Sequence, residues 1–334
     1  MTYQTRRIIL SKRPSGLPLI EDFTIDSISL PELNNGDVLL KIKYLSVDPY
    51  MRNRMNKAKS YIEPFEIGEP INGDAIAEII ESKNKKYRPG DIVTANLPWQ
   101  EYTVTSKKLN KIPSSDKYFT EYLGILGLTG LTAFFGLTKI ASPKPGETIV
   151  ISGAAGAVGM AAGQMAKIFG LHVIGISGSH DKCLFLKERL KFDEAINYKT
   201  TKNLRKAVKQ AAPDGVDIYF DNVGGDISDS IMYLLKDFSR IVLCGQIALY
   251  NQKRLSLGPR LNSLLLIHRV KMQGFIVYDY KDEFVDARKQ IIEWLNKGEL
   301  INQETVILGF DQIIRAFLAL FQGENIGKMI VKIA

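Results

Sequence analysis

Residues 148–159 read Thr148-Ile149-Val150-Ile151-Ser152-Gly153-Ala154-Ala155-Gly156-Ala157-Val158-Gly159. Five residues suited to a buried strand run into three glycines separated by small side chains, and a helix of small residues follows over 160–169. In that order the glycines have separate physical tasks. One allows the tight turn, one lets the backbone approach a pyrophosphate, and Gly159 lets the helix close onto the strand, while the helix N-terminus offers amide donors and a partial positive charge. A glycine-rich turn that only packs tightly would carry the same letters, so the surrounding elements have to decide.

Downstream, apolar runs at 173–177, 194–197, 216–220, 240–245 and 270–276 alternate with helical stretches. Together with 148–152 they make six candidate parallel strands, a complete α/β doubly wound Rossmann sheet. In that context Gly153, Ala154, Ala155, Gly156, Ala157, Val158 and Gly159 are expected to contact a dinucleotide. A helix over 281–296 stops at Gly298, and a further helix (311–322) and a strand (328–333) close the chain. Upstream, residues 1–120 show short β-rich runs at 37–44, 75–82, 91–94 and 101–105, punctuated by Pro, Gly and Asn. That spacing predicts a smaller β-rich domain, a partly open barrel. The expected division is 1–122 plus about 300–334 for the substrate domain and 123–299 for the dinucleotide domain.

The chain's 334 residues exceed the roughly 250–300 at which a single core stops growing, which agrees with two domains. The formal charge is +8, but 44 basic residues are mixed with 36 acidic ones along the chain. A generally basic surface follows, with no nucleic-acid or membrane partner expected. No run approaches the ~20 apolar residues of a membrane span, and Ile8-Ile9-Leu10 is too short for the core of a signal peptide. Cys183 and Cys244 are the two cysteines. Their positions, in a helix and a buried strand, argue against a disulfide framework and for a reducing, cytoplasmic compartment.

The end of the second strand decides which dinucleotide fits. An NAD site places Asp or Glu there for the ribose hydroxyls, whereas this chain reads Ser177-Gly178-Ser179-His180-Asp181-Lys182. Lys182 suits a 2′-phosphate, which favours NADPH. It also suits a solvated first helical turn, and on local sequence alone the two readings stand level.

A catalytic zinc needs about three ligands from Cys, His or carboxylate. Two cysteines with His172, His180 and His268 do not supply a convincing set, so no metal is expected. A Gly-x-Ser-x-Gly elbow before a helix is absent, and Gly327-Lys328 continues with Met329 rather than Ser or Thr, which removes the hydrolase and P-loop readings. Candidate proton donors are Tyr50 in the run 47–52 and Tyr250 in 244–251, both in loops at strand ends. Taken singly, each is as readily a packing residue.

At residues 47–52, 122–137, 144–159, 217–225, 244–251 and 273–280 the chain resembles the zinc-free medium-chain dehydrogenases/reductases. That group includes leukotriene B4 12-hydroxydehydrogenase/15-oxoprostaglandin 13-reductase, plant alkenal double-bond reductases and bacterial curcumin-type reductases. The resemblance implies a chaperonin-10-like first domain, NADPH as cofactor, and reduction of the carbon–carbon double bond of α,β-unsaturated ketones and aldehydes. It implies that Lys182 and Tyr198, beside Ser177 and Gly178, hold the adenosine phosphate, and that Asn222 lines the dinucleotide. Cys244, Gly245, Phe275, Ile276, Val277 and Asn325 would lie along ribose and nicotinamide. Tyr250 is the expected principal hydroxyl at the enolate and a cofactor neighbour. Tyr50 would be a second contact, and Arg52 would either orient substrate or brace Asp48. The group often carries Gly after that arginine; here Asn53 follows, which makes the substrate less transferable. A homodimer joined near the edge strand 270–276 is expected. Alternatives are a zinc-free NADPH quinone reductase and an NADPH-binding redox sensor without turnover.

Overall fold

The computed structural model describes residues 3–58, 60–113, 117–254 and 256–333. Two compact units form: one from Met1–Leu123, Glu304–Asn325 and Met329–Ala334, the other from Gly124–Gln303 with Ile326–Lys328. The C-terminal stretch is thus divided, with residues up to Gln303 and the short piece Ile326–Lys328 clustering with the second unit.

In the second unit the strands Thr148–Ser152, His172–Ser177, Glu194–Asn197, Val216–Asp221, Leu235–Leu243 and Lys271–Gly274 build one sheet. Their spatial order is third, second, first, fourth, fifth, sixth, and every pairing is parallel. This is the doubly wound order, which reverses between the first and fourth strands and opens a crevice at their C-terminal ends. Val216–Asp221 is buried at all six positions, as a strand covered on both faces must be. The helix Ala157–Ile168 closes onto the sheet through its small residues: a Cβ on Gly163 would lie 1.8 Å from the Phe192 ring. Val150, Ile174, Tyr219, Ile231 and Ile241 belong to this unit's buried core.

Two strands differ from the sequence expectation in ways that matter for the site. The fifth begins at Leu235 and ends at Leu243, so Cys244 belongs to the following turn rather than to the strand. The cause is local: the amides of Cys244 and Gly245 both donate to the Asp221 carbonyl, at 2.9 and 3.0 Å, which bends the chain off the ladder. The sixth strand covers only Lys271–Gly274, leaving Phe275, Ile276 and Val277 in the segment beyond it.

The first unit is organised by Val38–Ser46, which pairs antiparallel with Asn72–Ser82, Tyr102–Thr105 and the C-terminal Lys328–Lys332. Its alternation carries Leu40 and Ile42 inward and leaves Lys41 and Lys43 partly exposed, the period-two pattern of a sheet with one buried face. The helix Ile313–Gln322 buries Ile313, Ala316, Phe317 and Leu320, a spacing that gathers them on one helical face. Phe317 meets Trp99 edge to face at 6.0 Å. Among the described residues no helix is long and apolar enough to cross a membrane.

Candidate functional site

The glycine-rich turn is fixed by contacts that only glycine permits. Gly153 adopts φ +59°, and its carbonyl accepts the Gly156 amide at 3.0 Å. A Cβ on Gly159 would fall 2.4 Å from the Gly153 carbonyl oxygen and 2.7 Å from the Ala154 Cα, both backbone atoms. Gly156 is the N-cap of the helix Ala157–Ile168 and no side chain caps it. The first-turn amides at Ala157, Val158 and Gly159 are therefore not consumed by a capping side chain, which suits an anion. From the C-terminal segment, Gly327 (φ +69°) donates its amide to the Ala155 carbonyl at 2.8 Å and holds the turn from its other side.

Behind the turn lies a buried carboxylate. Asp221, 1% exposed, accepts from the hydroxyls of Ser152 (2.9 Å), Tyr219 (2.9 Å) and Ser228 (2.6 Å) and from the amides of Val223 (3.0 Å) and Gly224 (2.9 Å). Burial and this carboxylate together hold the Tyr219 phenol well above its ordinary range. Asn222 follows directly: its amide donates to the Ser152 hydroxyl at 2.9 Å and its Nδ2 to the Ser152 carbonyl at 2.8 Å. Asn222 is thereby pinned beside Gly153, where a Cβ would meet the Asn222 Cβ at 3.6 Å.

At the end of the second strand, Ser179 caps the helix His180–Glu188, its side chain accepting the Lys182 amide. Ser177 is buried beside Cys183, whose thiol is pushed up by burial and drawn back by Ser177. The Tyr198 amide donates to the Ser177 carbonyl at 3.0 Å. Tyr198 and Lys199 both fold over Gly178, where a Cβ would stand 3.3 Å from the Tyr198 hydroxyl and from the Lys199 Cε. Desolvation lowers the Lys182 pKa, and the neighbouring Lys199 charge lowers it further. Ser177, Gly178 and Tyr198 are therefore brought together, with Lys182 in the first turn of the adjoining helix.

The turn after the fifth strand docks on the same loop, its Ala248 amide donating to the Val223 carbonyl at 3.0 Å. The Tyr250 hydroxyl accepts the Gln246 amide at 3.2 Å and lies 3.3 Å from where a Cβ on Gly245 would be. Cys244, partly exposed, has its thiol pushed up to about 12 by desolvation and then by Asp221. Phe275 packs toward Gly136, whose Cβ would meet its ring at 3.1 Å; Ile276 is half-buried and Val277 buried.

In the first unit, Tyr50 opens the short helix Tyr50–Arg54 and packs against that unit's core. Its phenol interacts with Arg54, which is itself buried, stacks 3.9 Å over Phe65 and donates to the Glu63 carbonyl and Asn72. Arg52 is 3% exposed. Its guanidinium donates to the Gly16 carbonyl at 2.9 Å and to Asn56 at 2.8 Å, so it staples the 14–16 segment to the helix. Asn325 is buried in the first unit. Residues that the sequence did not single out are Asp221 with Ser152, Lys199, Gly327 and Arg54. Only the partners supplied by the fold distinguish them from ordinary polar or glycine positions.

Residues 6–112 match the family described as the N-terminal domain of oxidoreductase, and residues 157–296 the family described as zinc-binding dehydrogenase. A Bacillus subtilis protein, YfmJ, provisionally named an NADP-dependent oxidoreductase, is 51% identical over 100% of this chain and 99% of its own length. The chain belongs to the medium-chain dehydrogenase/reductase family. Within it, the NADP-dependent 2-alkenal reductase of Nicotiana tabacum is 39% identical over 98% of this chain and 97% of that protein. The structure of CurA from Vibrio vulnificus in complex with NADPH superposes with a TM-score of 0.95, at 38% identity over 98% and 99% of the two chains. The word zinc in the family description meets no matching donor set: among the described residues no group of three or more His, Cys, Asp or Glu could hold a metal ion.

Proposed function

We propose that this chain is an NADPH-dependent, zinc-free reductase of the carbon–carbon double bond of α,β-unsaturated ketones and aldehydes. The observation that carries the reading is the cationic end of the dinucleotide crevice, where Ser177, Gly178, Tyr198 and Lys182 stand in place of a carboxylate that would select NAD. Full-length likeness to a 2-alkenal reductase extends it from cofactor to substrate class. In this reading Gly153, Ala154, Ala155, Gly156, Ala157, Val158 and Gly159 take the pyrophosphate, with Asn222 beside them. Lys182 and Tyr198 take the 2′-phosphate, and Cys244, Gly245, Phe275, Ile276, Val277 and Asn325 border ribose and nicotinamide.

When bound, NADPH supplies the hydride that reaches the substrate's β-carbon. Negative charge then develops on the carbonyl oxygen, the Tyr250 hydroxyl donates a hydrogen bond to it, a task best done by a donor already in position, and a proton taken up from solvent at the α-carbon gives the saturated carbonyl. Tyr50 serves as a second polar contact. Arg52, whose guanidinium donates to Gly16 and Asn56, either orients a polar substrate tail or braces the segment around Tyr50.

A homodimer that extends the parallel sheet from its edge strand Lys271–Gly274 and a cytoplasmic site of action complete the proposal. Both cysteines are free, which suits a reducing compartment. The test is oxidation of NADPH and NADH with a panel of 2-alkenals, enones and quinones, with product masses, and light scattering for the dimer. Saturated carbonyl products with NADPH preference support the reading. Turnover of quinones alone would make the chain a quinone reductase, and tight NADPH binding without turnover would make it a sensor.

A further inference from the structure

Lys199 lies immediately after Tyr198, beyond the strand Glu194–Asn197, and its main-chain amide is tied to the Asn197 side chain at 3.0 Å. That bond turns the chain so that Tyr198 and Lys199 fold back over the same backbone spot. A single methyl on Gly178 would lie 3.2 Å from the Tyr198 Cε1, 3.3 Å from the Tyr198 hydroxyl and 3.3 Å from the Lys199 Cε. Lys182 stands in the first turn of the neighbouring helix His180–Glu188, near enough for the Lys199 charge to disfavour its own. Two neighbouring ammonium groups in partly desolvated surroundings repel each other, and a bound anion relieves that repulsion.

We propose that Lys199 is a specificity-determining residue, the second cation of a three-point cradle formed with Lys182 and the Tyr198 hydroxyl around the 2′-phosphate of the dinucleotide. This rests on the NADPH reading given above. A phosphate dianion offers three strong acceptor oxygens, which matches two ammonium donors and one phenol donor. The bare Cα of Gly178 leaves the room they need.

Calorimetric titration of the full-length protein with 2′,5′-ADP and with 5′-AMP tests it without turnover. The wild type binds 2′,5′-ADP more tightly than 5′-AMP. Lys199→Gln weakens 2′,5′-ADP by about tenfold to a hundredfold, the size expected for one charged hydrogen bond, and leaves 5′-AMP within about twofold. Lys199→Arg restores most of the loss, and unchanged thermal unfolding of Lys199→Gln rules out misfolding. If the wild type discriminates and Lys199→Gln discriminates equally well, the role of Lys199 is overturned while the NADPH reading stands. If the wild type itself binds the two nucleotides alike, the NADPH reading fails and Lys199 falls with it.

Discussion

The Ser152 hydroxyl donates to the Asp221 carboxylate at 2.9 Å while accepting the Asn222 amide at 2.9 Å. One hydroxyl thus ties the C-terminal end of the first parallel strand to that of the fourth, where the sheet order reverses and dinucleotides bind. The glycine turn after Ser152 and the Asn222–Gly225 loop after Asp221 take their relative position from this pair.

Asp221→Asn keeps the shape but removes the charge that five donors share and puts a donor either where Oδ1 accepts Ser152, Tyr219, Val223 and Gly224 or where Oδ2 accepts Ser228. A buried network broken in this way costs about 2–4 kcal/mol, against about 1 kcal/mol for Ser152→Ala, which removes only one member. Urea unfolding of the two variants measures both. Equal, small losses would mean that Asp221 is not the organising group.

Gly327 and Gly298 both have positive φ, +69° and +72°, but their surroundings differ. A Cβ on Gly298 meets nothing within 4 Å, whereas one on Gly327 would stand 2.0 Å from the Gln303 carbonyl oxygen. Gly298→Ala should cost about 1 kcal/mol, the left-handed strain alone. Gly327→Ala should cost more and also weaken NADPH binding, because the Gly327 amide holds the Ala155 carbonyl. Thermal melts and NADPH titration of the two variants, read together, separate strain from contact.

The frame of the second unit was legible because its signals are local and repeated. Thr148–Ser152 and Val216–Asp221 announce buried strands by composition, and Gly153, Gly156 and Gly159 announce the turn by spacing. Lys182 was legible as a candidate, level with its alternative on local sequence and favoured by the family resemblance, while the approach of Tyr198 and Lys199 to Gly178 was not legible, because the fold alone brings those residues together. Asp221 was not legible. One acid after an apolar run is common, and what sets this one apart is that four donors near it in sequence are joined by Ser152 from 69 residues away, a pairing that no local spacing encodes. The end of the fifth strand was misjudged at Cys244 for the same reason, since long-range bonds to the Asp221 carbonyl set it.

The Cys244 thiol, pushed up to about 12 from 9.0, holds its proton more tightly in the folded chain than in the unfolded one. Its contribution to stability is therefore complete below pH 9 and is lost as pH rises from 9 toward 12. Partial exposure of the residue screens some of the effect. The urea midpoint should fall more steeply between pH 8.5 and about 10.5 in the wild type than in Cys244→Ala. Identical slopes would mean that the thiol ionises normally.

Tyr250→Phe removes the proposed donor to the developing enolate while leaving the ring. A fall in kcat of about 10- to 100-fold is expected, with a smaller fall for Tyr50→Phe, measured by steady-state NADPH oxidation with an enone. An unchanged kcat in Tyr250→Phe would assign the hydroxyl to loop structure alone, through its bond with the Gln246 amide.

The most direct test of the central claim is where the hydride goes. With NADPH deuterated at each face of nicotinamide C4 in turn and a simple enone as substrate, mass and NMR analysis of the product should find one deuterium on the β-carbon of a saturated ketone. Deuterium on the carbonyl carbon of an allylic alcohol, or no transfer to carbon from either label, would contradict it.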